Sequence, residues 1–247
     1  MKTKIFIAAH QGLGDHLVCA SLYFQIAQKY DLCIIPVKPE YYATVQQLVV
    51  AHPNIILDRL FARFPWEQIR HKIKLYSLFG INSIKLGYFG TNFLVDKSML
   101  LDTNFYLQAK LSPAARWEFF DYPRNLQEEE DVFRMLKCDE QPYLFLHEDK
   151  YRGFSIDRKF LNQKYRIIEP NLDQDTFNIL SYRKVLENAS EIHCIESSFS
   201  VLIDNLGIEA VPKFAHRYSR PEVLNDPRHA ITFRTDWQIL TEEILSN

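Results

Sequence analysis

The feature that most constrains this chain is the alternation of unbroken apolar runs with helix-length stretches. Ile5-Phe6-Ile7-Ala8-Ala9 and Leu32 to Val37 are continuous apolar segments, and Asn54 to Leu57 is a shorter one. A strand with no polar face must be covered on both sides, the condition met in parallel sheets. Parallel neighbours cannot be joined by a hairpin and need a crossover, usually a helix. The intervening segments fit that role. Asp15 to Tyr30 is predicted helical and is apolar on most sides (Leu17, Val18, Ala20, Leu22, Phe24, Ile26, Ala27), which suits burial against a sheet. Pro39 is suited to opening a second helix over 40–51. The first 58 residues therefore read β-α-β-α-β. Pro36 removes a ladder donor, which argues against the second strand or places it on an edge.

The pattern is less regular between Phe61 and Phe120. Ile73 to Tyr76 and Lys85 to Phe89 are predicted as further strands, and Asn104 to Phe120 as helical on either side of Pro113. That last stretch is aromatic-rich and suits a core better than a sugar platform. Arg59, Arg63, Arg70, His71, Lys72 and Lys74 gather in one region, either as a solvated face or as a patch for a membrane surface or an anionic acceptor. Leu126 to Lys137 is a charged amphipathic helix with its acids early and its bases late. It marks the boundary between two domains, 1–125 and 126–247. The second half repeats the alternation. Strands are predicted at Tyr143–Leu146, Arg166–Ile168, Ile192–Ile195, Val211–Ala215 and His229–Phe233. Helices are predicted at Asn178–Asn188, after Glu196 as far as Gly207, and at Trp237–Leu245, the last with Thr235 and Gln238 as a capping box. The fold class is α/β, with two small Rossmann-like domains and a cleft between them.

Composition narrows the function. At 47% hydrophobic residues the chain can bury a sizeable core, and a formal charge of −2 gives no reason to expect nucleic acid. No apolar run approaches the roughly 18–20 residues needed to span a bilayer, and the N-terminus lacks a signal-peptide cleavage site. Cys19, Cys33, Cys138 and Cys194 have no CxxC spacing, so buried free thiols in a reducing, cytoplasmic setting are expected rather than a metal site.

Three polar loops follow predicted strands, at the edge where open α/β sheets bind ligands. In His10-Gln11-Gly12-Leu13-Gly14-Asp15-His16 the glycines Gly12 and Gly14 allow a sharp turn, and Asp15 either caps the helix or acts as a base. In His147-Glu148-Asp149-Lys150-Tyr151-Arg152-Gly153-Phe154, Arg152 and His147 are candidate anion ligands around a turn at Gly153; otherwise Asp149 pairs with Arg152 and shapes the loop. In Glu196-Ser197-Ser198-Phe199-Ser200, a helix start with hydroxyls is a phosphate site or a simple cap at Ser197, and Glu196 either accepts from ribose hydroxyls or is solvated. The P-loop, the GxGxxG fingerprint, the GxSxG elbow and HExxH are all missing. Tyr106 and Lys110 have a Tyr-x-x-x-Lys spacing without a fingerprint upstream, a chance match.

Gly12-Leu13-Gly14-Asp15-His16-Leu17 after a first strand resembles the N-terminal motif of bacterial GT-B glycosyltransferases, nearest to the heptosyltransferase-like group and its relatives in lipopolysaccharide and capsule gene clusters. Cys194 to Ser200 is similar to that family's second-domain turn, although Ser198 stands where the family has glycine and no histidine follows close behind. The resemblance implies a GT-B fold. It implies transfer of a sugar from a nucleotide-sugar to a hydroxyl of a glycan or lipid-linked glycan, without metal or other cofactor, by inversion with Asp15 as base. The donor would lie on His147, Arg152, Glu196, Ser197 and Ser198, with Gly12, Gly14 and Gly153 positioning their loops. It is compatible with peripheral attachment at the inner face of the membrane. A non-catalytic nucleotide-sugar or glycan-binding subunit and another nucleotide-sugar-modifying enzyme, such as an epimerase, are the competing readings.

Overall fold

A computed structural model describes residues 3–61, 63–87, 98–170 and 177–241. The chain divides into two compact units, Met1–Pro123 and Arg124–Asn247.

The N-terminal unit is built on a four-stranded parallel sheet. Its elements are β1 (Lys4–Ala8), α1 (Leu13–Ala27), β2 (Leu32–Val37), α2 (Tyr42–Val49), β3 (Ile55–Arg59), α3 (Pro65–Leu78), β4 (Asn82–Lys85), α4 (Leu101–Gln108) and α5 (Ala115–Glu118). The sheet order is β3-β2-β1-β4. As its sequence predicts, α1 is buried nearly all round, with eleven of its fifteen residues inside. It is locked to the later helices by polar anchors: Tyr106 Oη donates to the Val18 carbonyl at 2.7 Å and Ser21 Oγ to the Arg116 carbonyl at 2.7 Å. Tyr106 is thus a structural residue, as expected of a chance Tyr-x-x-x-Lys match.

Three expectations for this unit are corrected. The helix begins at Leu13, so Asp15 is its third residue rather than its first. Ile73 to Tyr76 is helical, inside α3. Ile69, Ile73 and Tyr76 recur at helical spacing and pack against Phe6, Ala8 and Leu60, so the 3.6-residue period prevails over the short apolar run. Lastly, β2 lies inside the sheet despite Pro36. Its pairing with β1 ends at Ile34, and the Pro36 carbonyl, beyond that point, accepts from the Gln11 side chain at 3.0 Å. The missing N–H therefore interrupts no ladder on that side. Of the strand predicted at Lys85–Phe89, Lys85 ends β4, and residues 88 and 89 lie outside the described residues.

The C-terminal unit carries α6 (Leu126–Met135), β5 (Tyr143–His147), β6 (Arg166–Ile168), α7 (Arg183–Glu187), β7 (Glu191–Cys194), α8 (Ser198–Asn205), β8 (Lys213–His216), α9 (Pro221–Asn225) and β9 (Trp237–Leu240). Its five strands are parallel in the order β6-β5-β7-β8-β9. The helix predicted at Trp237–Leu245 is overturned by β9, which pairs with β8 from Lys213↔Trp237 to His216↔Leu240. Its predicted capping residue is used differently. The carboxylate of Asp204, buried on α8, accepts from Arg234 N, Thr235 N and Thr235 Oγ1 at 2.9–3.1 Å and fixes the chain where it enters β9. His229–Phe233 is not a strand: His229 ends a short 3-10 turn and the residues after it are irregular. All four cysteines are buried and free. No helix among the described residues is long and apolar enough to cross a membrane.

Candidate functional site

Strand order identifies where each unit should bind ligand. In the N-terminal sheet the chain runs from β1 outward through β2 to β3, then crosses to β4 on the other side of β1. In the C-terminal sheet it runs from β5 to β6, then crosses to β7. The reversals, between β1 and β4 and between β5 and β7, are topological switch points, and open α/β sheets bind ligands at the strands' carboxyl ends beside such points.

At the first switch point the chain leaves β1 through buried His10 and Gln11. The Gln11 amide donates to the Ala9 and Pro36 carbonyls, both at 3.0 Å, and holds the loop across the ends of β1 and β2. His10 lies edge-on to Trp66 and Phe105, with ring centroids 5.6 and 5.4 Å away. It touches Gly87, beyond β4, so closely that a Cβ there would lie 2.3 Å from its Nε2. Asp15 reaches back so that Oδ2 accepts from Gly12 N at 3.0 Å. This is the reciprocal half of a capping box, with the acid at the third helical position. The approach needs Gly12, since a Cβ there would sit 2.8 Å from Oδ2. Gly14 is the second residue of α1. His16, wholly buried, contacts Tyr23 Oη at 3.1 Å, and burial with the Lys38 charge lowers its pKa to about 3.

At the second switch point His147 ends β5 and Ser197 precedes α8. Fifty residues apart, they meet at 2.9 Å between His147 Nδ1 and Ser197 Oγ. Burial lowers the His147 pKa to about 4, so the ring is neutral at neutral pH and offers hydrogen bonds rather than charge. Ser197 occupies the N-cap, its N–H donating to Ser200 Oγ at 2.9 Å. Ser198 is the first helical residue, where backbone N–H groups have no intrahelical acceptor.

Glu196 is not a solvated acid. It is wholly buried, its carboxylate held by the Arg217 guanidinium, with Nε at 2.8 Å, and its carbonyl accepts from Arg220 Nη1 at 2.5 Å. Burial raises its pKa against the opposing charge of Arg217. Arg152 takes the local arrangement: Nε donates to Asp149 Oδ2 at 2.6 Å, and the guanidinium lies 4.9 Å from the Phe154 ring centre. Asp149 and Phe154 exchange backbone hydrogen bonds around Gly153, whose φ of 76° makes the hairpin. Tyr151, at its tip, is 99% exposed. Deeper in the loop, Glu148 accepts from Arg158 at 2.8 and 2.9 Å and from Ile156 N.

The sequence reading missed Arg217 and Arg220. Both follow β8, whose carboxyl end adjoins that of β7, and the signal was a fourth polar loop, Arg217-Tyr218-Ser219-Arg220, after a predicted strand. It also missed a chain of polar groups fixing that loop, buried at His193 and His216. Asp157 N donates to Tyr218 Oη (2.9 Å), which contacts His216 Nδ1 (3.2 Å). His216 Nε2 contacts His193 Nδ1 (3.0 Å), and His193 Nε2 contacts Glu191 Oε2 (3.3 Å). Burial lowers the pKa of both histidines, His216 to about 3.

No protein-family model matches the chain, and no significant match is found among curated proteins. Solved structures are similar. The glycosyl transferase family 9 protein of Veillonella parvula superposes with a TM-score of 0.58 at 10% identity over 99% of this chain and 90% of that one. The ADP-heptose lipopolysaccharide heptosyltransferase II of E. coli gives 0.53 at 12% identity over 96% of this chain and 90% of that one. The two parallel sheets, each in its own Rossmann-like unit, together with these likenesses give the chain the fold of GT-B glycosyltransferases.

Proposed function

We propose that this protein is a glycosyltransferase that moves a sugar from a nucleotide-sugar donor to a hydroxyl of a glycan or lipid-linked glycan. The observation that carries this reading is that each unit of a GT-B fold places a polar constellation at its own switch point. Asp15 on its glycine-backed loop occupies one, and His147 with Ser197 at a helix start occupies the other. The N-terminal unit is assigned to the acceptor and the C-terminal unit to the donor. In an inverting displacement the acceptor oxygen forms a bond to the anomeric carbon as the bond to the diphosphate breaks. The leaving group departs with the electron pair, and Asp15 takes the acceptor's proton. On the donor side, N–H groups at the start of α8 and the hydroxyls of Ser197 and Ser198 meet the diphosphate, where the helix dipole favours negative charge. Neutral His147 orients Ser197. The chemistry asked of these residues requires no metal or other cofactor. Arg152 and Glu196 serve by shaping the two donor loops through Asp149 and Arg217.

Asp15→Asn tests the assignment because the amide oxygen retains a cap for Gly12 N while losing the base. With a nucleotide-sugar panel and a glycan acceptor, transfer should fall by roughly 10²–10⁴-fold with nucleoside diphosphate binding unchanged. Normal transfer by Asp15→Asn would sink the base assignment. Failure of the wild type to bind any nucleoside diphosphate or nucleotide-sugar would sink the whole reading.

A further inference from the structure

The N-terminal unit exposes an apolar and basic surface that the glycosyl-transfer reading does not use. Helix α3 buries one side through Ile69, Ile73 and Tyr76. On the opposite side Phe64, His71, Leu75 and Leu78 follow one another at helical spacing, with Phe79 at the end. The exposures are large: Phe61 80%, Phe64 54%, Leu75 40%, Leu78 83% and Phe79 74%. Phe61, Gln68, His71 and Leu75 line one shallow hollow, so Phe61, ahead of the helix, and the helix itself share one surface.

This surface is held in place. The Gln68 side chain accepts from Phe61 N at 2.9 Å and donates to the carbonyls of Phe61 and Arg63 at 3.0 and 2.7 Å. Phe64 sits in the left-handed region at φ 58°, which an aromatic residue adopts only under constraint. A conformation that costs free energy and turns a phenylalanine outward points to a use for that side chain.

Charge identifies the occupant. From Arg59 to Phe79 there are five lysines and arginines against a single acid, Glu67, in a chain whose formal charge is −2. Lys72 is engaged by Asp58 at 2.7 Å, while Arg63, Arg70 and Lys74 are exposed. A basic face in a chain of negative formal charge favours an anionic partner, and a helix with an outward apolar stripe and flanking bases suits the boundary between acyl chains and anionic headgroups. We propose that α3 with Phe61, Arg63 and Phe64 forms a docking surface for an anionic lipid bilayer, with the aromatic and leucine side chains entering the interface and Arg63, Arg70 and Lys74 meeting headgroup phosphates.

The test is co-sedimentation of the full chain with vesicles of phosphatidylcholine containing phosphatidylglycerol, and with vesicles of phosphatidylcholine alone. The proposal expects binding to the anionic vesicles, at least tenfold weaker binding to the neutral ones, and weakening as salt rises. Each base removed should cost about fivefold in partitioning, so Arg63→Gln/Arg70→Gln/Lys74→Gln should lose roughly a hundredfold. Phe61→Ser/Leu78→Ser/Phe79→Ser should also release the protein, with its melting temperature unchanged because those side chains are exposed. Three outcomes overturn the proposal: no binding to anionic vesicles, equal binding to both kinds, or light scattering that shows a dimer dissociated by the apolar variant without vesicle binding. The assay uses neither donor nor acceptor, so its failure leaves the Asp15 assignment standing, and the reverse is also true.

Discussion

Lowering the pH from about 7.5 to about 5 should destabilise this protein by several kcal/mol, and the C-terminal unit should suffer first. His16, His147 and His216 are held neutral by burial, with pKa values of about 3, 4 and 3. In the unfolded chain each titrates near 6.5. A histidine whose folded pKa is depressed stabilises the fold fully above its unfolded pKa, and that contribution is lost as pH falls through 6.5 towards the folded value. At about pH 5 the unfolded form has gained most of a proton per histidine while the native form has gained almost none. The loss is about 1.5 pH units at ~1.36 kcal/mol each, or roughly 2 kcal/mol per buried histidine. The N-terminal unit holds His16 and should lose about 2 kcal/mol. The C-terminal unit holds His147 and His216 and should lose about 3–4 kcal/mol, discounting for the partial exposure of His147. These losses are large beside a typical stability of about 5–15 kcal/mol. Glu196 works in the opposite direction, because its raised pKa makes it more favourable as pH falls. Urea unfolding should therefore be paired with NMR titration of the imidazole ring protons, which reads each histidine directly. Ring resonances of His16, His147 and His216 that titrate near 6.5 in the folded protein would refute the reasoning.

Three further predictions rest on local geometry. Gly87→Ala should cost about 3 kcal/mol, because it combines a left-handed backbone with a Cβ 2.3 Å from His10; Gly153→Ala, equally left-handed but with nothing within 4 Å, should cost only about 1 kcal/mol, and equal losses in thermal melts would dismiss the His10 contact. Arg217→Met strands a buried carboxylate and should cost about 3 kcal/mol near neutral pH; the cost should shrink in acid as Glu196 takes up a proton, and adding Glu196→Gln should restore most of the loss, whereas a pH-independent cost would show that the pair is not coupled. The chain of groups from Asp157 to Glu191 has a fixed direction. Glu191 can only accept when ionised, so neutral His193 carries its proton on Nε2 and accepts at Nδ1; His216 must do the same, with Tyr218 donating to it. Nitrogen-15 shifts should show Nε2–H tautomers at both rings, and an Nδ1–H form at either would break the chain.

Much of the fold was legible because a parallel sheet writes itself into sequence as unbroken apolar strands. The elements that misled were those decided by distant contacts. Trp237 to Leu240 reads as helix in isolation, but Asp204, some thirty residues earlier, holds Arg234 and Thr235 and aligns the stretch beside β8. Pro36 reads as an edge residue because the sequence does not show that β1 stops at its level or that Gln11 covers the gap. Within the candidate sites, the loops themselves were legible as polar segments after strands, and Asp15, His147 and Ser197 come from them. What sequence could not supply was partnership. Glu196 becomes a buried anchor only because β8 lies beside β7 and brings Arg217 to it, and neighbourhood of that kind depends on strand order.

Strand order also distinguishes two of the polar loops from the others that follow strands. A loop at a switch point has its following helix on the opposite face of the sheet from that of its neighbour, so the strand ends part and leave the backbone unfilled. In the N-terminal unit His10 packs against Gly87, and Asp15 follows on the same loop, half-buried and bonded to Gly12 N. In the C-terminal unit His147 meets Ser197. The two units have different strand orders and share no motif, yet each has ionisable or hydroxyl side chains at its reversal. Sheet topology alone predicts this for a binding surface, whereas simple helix capping would serve equally well after any strand. Gly12 and the acid at the third helical position meet the needs of a cap, but it is their place after β1, the strand at which the sheet order reverses, that makes Asp15 the residue to test.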